Sequence, residues 1–373
     1  MKNAPRNGVG VSTLYATTAA VVLGILLAGL WPLRFHPPNN VSWFAARDGI
    51  RFGTHGSVVS SGPFRVPEDE AGGPCSLELW LAPDFSSTSS SILAFSTPSN
   101  PVQLQLLQSL GDLFVNKERP DRQWRREEKH IAIVSLFQKD HSVFISISGD
   151  SGGTSVFIDG SLRRRSNEFR LTCESLTGTL VLANSPQRYA PWQGSIFALM
   201  VYRGSLDPAT IGRHYRAFSS GTAMDSADLK NALAVYGFSE RGGQLIRDQT
   251  RVEPDLTIPV SYSILYPPFL TPAWKEFAPT RWYVADLAVN IVGFIPPGFF
   301  ICAALVSLRG RKRSVGLATV AGLLLSLTIE VLQGCIPMRN SGTTDLITNT
   351  LGAGIGAALY AYGLRRWTIF RTP

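Results

Sequence analysis

Four long apolar runs, almost free of charge, constrain this chain more than any other feature. Val11 to Leu33 contains no charged residue, and Tyr283 to Leu308, Val315 to Gln333 and Leu346 to Leu364 contain only Asp286 and Glu330. Each is long enough to cross a hydrocarbon core of roughly 30 Å as a helix. The runs predict four transmembrane α-helices. The first follows Lys2 and Arg6, as a cleaved signal would, but it is longer than the roughly 7 to 15 apolar residues of a signal core. It also ends in Trp31-Pro32-Leu33-Arg34-Phe35 instead of a small-residue cleavage site, so it is expected to stay as a membrane helix.

A net charge of +8 raises the question of nucleic acid, and the placement of the cations answers it differently. Lys2 and Arg6 precede the first run, Arg309, Arg311, Lys312 and Arg313 separate the second from the third, and Arg365, Arg366 and Arg371 follow the fourth. In a four-helix topology these segments share one side, which the positive-inside rule makes cytoplasmic. Both termini are then cytoplasmic and the long segment between the first two runs lies outside. The basic balance is an orientation signal, and no nucleic-acid partner is expected.

From about Val41 to Arg251 the pattern changes to short alternating strands broken by Gly, Ser, Pro and Asp. Ser76 to Leu81 alternates with period two, as does much of His141 to Ile147, and Thr154 to Ile158 runs into an Asp159-Gly160 turn. These features predict an all-β sandwich. The expected organisation is a multi-domain membrane protein: a helix over 1–35, an extracytoplasmic sandwich over 36–252 inserted between helices one and two, a Pro-rich interfacial linker over 253–281, and three helices over 282–373.

Cys75 and Cys173 both fall in the sandwich, where an oxidising envelope permits a disulfide, and buried free thiols are the alternative. No CxxC or Cys/His spacing supports a metal site, and no cofactor is expected. Trp43, Trp80 and Trp192 suit a core, whereas Trp124 stands in the charged stretch Lys117 to Arg126 and is the candidate for stacking on a glycan. Glu68-Asp69-Glu70 is expected in a loop, and no strand carries the spaced carboxylates of a glycosidase.

The most informative polar residues interrupt the apolar C-terminal part. Asp286 and Asn290, four apart, share a face of the second helix; Glu330 and Gln333 lie near the end of the third; Asp345 and Asn349 open the fourth. Arg339 stands on the short loop between those last two helices. Three helices thus present polar pairs at one level, where a charge in the bilayer costs on the order of 2.5 to 3.5 kcal/mol. Three readings fit: a ligand site in which Glu330 and Asp345 orient Arg339 toward an anionic group, an enzyme with Asp286 or Glu330 as general base, or a polar lock between helices. The absence of an activated Ser or Cys beside a histidine weighs against the enzyme. Asp345, with Thr343 and Thr344, is also a candidate helix cap. Gly352 and Gly356 form a GxxxG for close helix packing, and Pro296-Pro297-Gly298 predicts a kink.

DLAVNIVGFIPPGFF, then IEVLQ, then MRNSGTTDLITNTLGAGIGA resembles the VanZ-like membrane family, with Asp286, Asn290, Phe294, Pro296, Gly298, Glu330, Gln333, Arg339, Asp345, Asn349 and Gly352 at its motif positions. Pro297 departs from the bulky apolar residue usual there. CSLELWLAPDF, TSVFIDGSL and WQGSIFALMVYRGSLDPATIGRHY resemble laminin-G-like, concanavalin-type jelly rolls. The first resemblance implies a multi-pass protein of the bacterial plasma membrane and a link to resistance against the glycopeptide teicoplanin. Together they imply that the partners are the membrane and an envelope glycan or lipid-linked cell-wall precursor.

Overall fold

A computed structural model describes residues 10–84, 88–120, 127–138, 141–222, 224–225, 227–309 and 311–363, with the backbone of residue 126 also assigned to a strand. The chain forms two compact units, one of residues 36–266 and one joining residues 1–35 to 267–373.

The first unit is a sandwich of two antiparallel sheets. One sheet runs β1 (Val41–Trp43), β2 (Ile50–Phe52), β13 (Gly194–Arg203), β4 (Cys75–Pro83), β9 (Val143–Asp150), β10 (Gly153–Ile158) and β11 (Ser161–Ser166). β14 (Ala232–Tyr236) pairs with the later half of β13, opposite β4. The other runs β15 (Leu245–Ile246), β16 (Leu256–Thr257), β3 (Val58–Ser60), β12 (Thr179–Leu182), β5 (Ser90–Ser96), β6 (Leu104–Ser109), β7 (Asp112–Pro120) and β8 (Arg126–Ile133). Asp159 and Gly160 both take positive φ between β10 and β11, which is what a two-residue hairpin turn requires.

Period two explains how the layers are covered. On β4, Leu77, Leu79 and Leu81 face the core between the sheets, while Ser76, Glu78 and Trp80 take the other face. That outer face is not left to solvent: α3 (Pro208–Ser220) packs there through Ile211, His214 and Phe218. The side chain of Asp207 caps α3 by accepting from the Ala209 and Thr210 amides, and Gly221 ends it in the left-handed conformation. Trp192 is fully buried and its indole donates to Gln108 Oε1 at 2.6 Å. Cys75 and Cys173 are joined by a disulfide, which ties the start of β4 to a 3₁₀ turn at Cys173–Leu176. Glu68–Ala71, expected as loop, is the one-turn helix α2.

The second unit is helical, with α1 (Val11–Leu30), the short α4 (Ala273–Glu276), α5 (Arg281–Arg309), α6 (Arg311–Gln333) and α7 (Thr343–Tyr362). Among the described residues, three helices are long and apolar enough to cross a membrane: Val11–Leu30, Arg281–Val306 and Arg313–Gln333. α7, expected as the fourth, is a helix whose first two turns are polar, with Thr343, Thr344, Asp345, Thr348 and Asn349. Large apolar side chains such as Leu23, Val292, Leu324 and Leu351 point outward, while Cys302, Ala318, Ala357 and Ala361 are packed inside. That distribution suits a lipid surround, where small residues let helices approach. Gly352 and Gly356 fit this role: a Cβ on either would overlap the carbonyl oxygens of Ile291 and Ile295 on α5. Pro296 and Pro297 lie within α5, whose helical assignment is unbroken through them.

The segment 253–281 does not behave as one linker. Its first part adds β16 to the sandwich and buries Tyr262, whose hydroxyl donates to Asn184 Oδ1 at 2.6 Å. From Pro267 onward it belongs to the helical unit, with Thr271 bridged to Gly342. Prolines rule out a long helix but leave room for edge strands and single turns.

Candidate functional site

Seven polar residues singled out from the sequence, Asp286, Asn290, Glu330, Gln333, Arg339, Asp345 and Asn349, line one cavity of about 350 Å³ inside the helical unit. Apolar walls come from Ile25 of α1, Val289 and Phe294 of α5, and Ile329 of α6. The helices deliver the polar groups by their repeat: Asp286 and Asn290 from one face of α5, Glu330 and Gln333 from the end of α6, Asp345 and Asn349 from the first turns of α7.

The hydrogen bonds differ from the expected arrangement. Arg339 does not bond Glu330 or Asp345; it donates Nε and Nη2 to the backbone carbonyl of Trp31, at 3.0 and 2.6 Å. The carbonyls beyond the last turn of α1 lack helical donors, so a guanidinium satisfies one of them. Gln333 Nε2 donates to Gly29 O at 2.8 Å, in the same terminal turn. Asn290 Nδ2 donates to Asp345 Oδ1 at 2.7 Å, and Asn349 Nδ2 to Ser326 Oγ at 2.9 Å. Asn349 Oδ1 is buried without a hydrogen-bond partner among the described residues.

The start of α7 is not capped by Asp345. Its N-cap is Gly342, and the first amides are satisfied from elsewhere: Gly342 N donates to Glu330 Oε2 at 2.8 Å, Thr343 N to Thr271 O at 2.9 Å, and Thr344 N to Glu276 Oε2 at 3.0 Å. Two carboxyl groups therefore meet the positive end of the helix dipole. Glu276 was not legible as a site residue, since it sits in a four-residue helix among prolines.

The sandwich holds a second cavity, of about 540 Å³, on its α3-covered face, lined by Trp80, Phe197, Met200 and Phe218 with Arg47 and Asp48 among the polar members. Arg47 lies over the rings of Phe44 and Phe197, 4.4 and 4.6 Å from their centroids. Trp80, expected in the core, is instead half-buried in this wall, whereas Trp124 lies outside the described residues. Close by, beneath α3, Glu78 and His214 form a fully buried pair, with Nδ1 and Oε2 2.7 Å apart. Burial pushes the Glu78 carboxyl up, and His214 partly offsets this. His214 Nε2 faces Asp228 Oδ2 at 3.7 Å, too far for a hydrogen bond. Among the described residues no group of three His, Cys, Asp or Glu side chains is placed to hold a metal ion.

Residues 233–366 match the VanZ/LLP1 family model, and residues 53–212 match a model of the concanavalin A-like lectin/glucanases superfamily. The C-terminal region is VanZ-like, and the sandwich is concanavalin A-like. With its apolar helices, the VanZ-like region makes this a membrane protein. The VanZ-like match begins at Leu233, within β14 of the sandwich, and takes in every one of the seven polar residues of the helical cavity. Comparison with curated proteins gave no match.

Solved structures with similarity include a SAP-like pentraxin from Limulus polyphemus, 12% identical over 47% of this chain and 80% of that one, with a TM-score of 0.33. A putative carbohydrate binding protein from Bacteroides ovatus is 11% identical over 58% of this chain and 61% of that one, at a TM-score of 0.40. The botulinum neurotoxin serotype D ligand binding domain, in complex with N-acetylneuraminic acid, is 13% identical over 48% of this chain, at 0.35. This chain spans less than half of that neurotoxin chain, 45%.

Proposed function

We propose that the chain is a ligand-binding protein of the bacterial cell envelope, in which the VanZ-like cavity takes the head of an amphiphilic or lipid-linked ligand and the sandwich takes an envelope glycan. The observation that carries this reading is the convergence of seven polar side chains on one cavity, inside a helical unit whose outward side chains are apolar. A charged group within a bilayer is costly unless paired or functional. In this reading four helices cross the plasma membrane, both termini are cytoplasmic and the sandwich is outside. The clustered cations of the sequence support that orientation, and the Cys75–Cys173 disulfide suits an oxidising exterior. The aromatic wall of Trp80, Phe197 and Phe218 beside Arg47 offers the glycan a stacking surface.

The test is the unfolding midpoint of the full-length protein in detergent against cell-wall fragments, lipid-linked precursors and glycopeptides, including teicoplanin, which the VanZ resemblance brings in. Gly293 lines the cavity, and a Cβ there would meet nothing within 4 Å, so Gly293→Phe is the variant chosen to fill it. A ligand that raises the midpoint of the parent and not of Gly293→Phe occupies the helical cavity. One whose effect is lost in Arg47→Ala binds the sandwich. No effect from any ligand leaves the polar cluster as a lock between helices.

A further inference from the structure

We infer that the helical cavity binds a primary ammonium group, carried by an amphiphile or by a free amine. This rests on the head-group reading above and adds the chemistry of the head. Three carboxyl groups line the cavity, Asp286, Glu330 and Asp345, against the single guanidinium of Arg339. A guanidinium grips phosphate or carboxylate through two parallel bonds, yet here both Nε and Nη2 converge on one backbone oxygen, that of Trp31.

Each cavity amide gives one of its two N–H groups to the chain. Asn290 gives its Nδ2 to Asp345, Gln333 gives Nε2 to Gly29 O, and Asn349 gives Nδ2 to Ser326. The acceptors are engaged less. Asn349 is 5% exposed and lines the cavity, and its Oδ1 has no hydrogen-bond partner among the described residues. An orphaned buried acceptor is unfavourable, so it points to a donor from outside the chain. Asp286, exposed on α5, makes no hydrogen bond among the described residues. Pro297 offers no N–H to the carbonyl of Gly293, another residue of the cavity wall.

A primary ammonium carries three donors, a positive charge and no acceptor, which complements this set. A quaternary ammonium has the charge without the N–H groups and would leave Asn349 Oδ1 unsatisfied. An anionic head would meet three carboxyl groups and one guanidinium that is already bound to the Trp31 carbonyl.

The experiment uses the full chain in nanodiscs of phosphatidylcholine, whose heads are quaternary, and reads saturable binding and the unfolding midpoint. The probes are dodecylamine, dodecyltrimethylammonium, dodecyl phosphate and butylamine. Dodecylamine is expected to bind saturably and raise the midpoint, with dodecyltrimethylammonium failing to compete. Asp345→Asn, which keeps an oxygen for Asn290, and Asp286→Asn are each expected to weaken dodecylamine binding by about tenfold. Butylamine matching dodecylamine would identify a free amine as the source of the group, and dodecylamine alone a lipid. Equal binding of the quaternary probe overturns the inference without involving any variant. Saturable binding of dodecyl phosphate that requires Arg339 also overturns it while leaving the head-group reading intact. If no probe binds saturably, both fall.

Discussion

Asn290 of α5 donates its amide to Asp345 of α7 across 2.7 Å, and this bond joins two helices that also meet at Gly352 and Gly356 and through the rings of Phe299 and Tyr360. Without it, Asp345 would face the cavity with one acceptor fewer engaged. Hydrogen bonds between membrane helices contribute modestly, because the unfolded state in lipid also finds partners. Asn290→Ala is therefore expected to lower stability by about 1 kcal/mol. Unfolding of the detergent-solubilised protein by a graded denaturing detergent checks this; an unchanged curve would show that the bond carries no stability.

The entry to α7 depends on Glu276 more heavily. Its carboxyl group accepts from the Thr344 amide and hydroxyl, and it lies so close to Gly342 that a Cβ there would overlap it. Glu276→Gln retains an acceptor oxygen and loses the charge facing the helix dipole, for an expected loss of about 1 kcal/mol. Gly342→Ala should cost more, since the overlap displaces the carboxyl group and strips two partners at once. The ordering of the two variants in the same unfolding assay is the check: Gly342→Ala as stable as Glu276→Gln would mean that the carboxyl group has another place to go.

How much of this was legible can be argued residue by residue. The seven cavity residues were readable because helical repeats of three and four residues place side chains on one face, and a polar side chain inside an apolar run is conspicuous. Their partners were not, because Arg339 and Gln333 bond the carbonyls of Trp31 and Gly29, and a backbone oxygen leaves no mark on the sequence. Glu276 was hidden for a different reason: it acts from a single turn brought to α7 by the Thr271 to Gly342 bridge, a long-range contact that local pattern does not encode. In the sandwich the alternation on β4 was plain, yet Glu78 on its outer face reads as solvent-facing until α3 is laid over it with His214. Tyr262 and β16 were masked by the prolines around them, which signal a break in a helix and not what the extended chain pairs with.

The sandwich carries a pH dependence at Glu253. Burial, together with Asp248 nearby, holds its carboxyl group up at about 7 against an ordinary value of 4.5, although the Arg65 amide donates to it. A carboxyl group raised on folding binds its proton more tightly in the folded chain. Its contribution is thus complete below pH 4.5 and is lost as the pH climbs through about 7. Over that window the sandwich should lose on the order of 1 kcal/mol in the full chain, and Glu253→Gln, which keeps an acceptor for Arg65, should remove this part of the slope. Denaturant midpoints of both proteins at pH 5 and pH 8 test the sign; a parent that gains stability from Glu253 on going to pH 8 would contradict it.

The Glu78–His214 pair holds α3 to the sheet by a polar contact that has no water to fall back on. Removing His214 alone leaves a buried carboxyl group without its hydrogen-bond partner, which costs about 1 to 3 kcal/mol or more. Replacing both members by apolar side chains removes the desolvation problem together with the attraction, and is often close to neutral. His214→Leu is therefore expected to destabilise the sandwich strongly, and adding Glu78→Leu to recover most of the loss. The double-mutant cycle, read from the unfolding of the full chain, separates this from simple repacking of α3: if the two losses add, the pair is not coupled, and the helix is held by Ile211 and Phe218 instead.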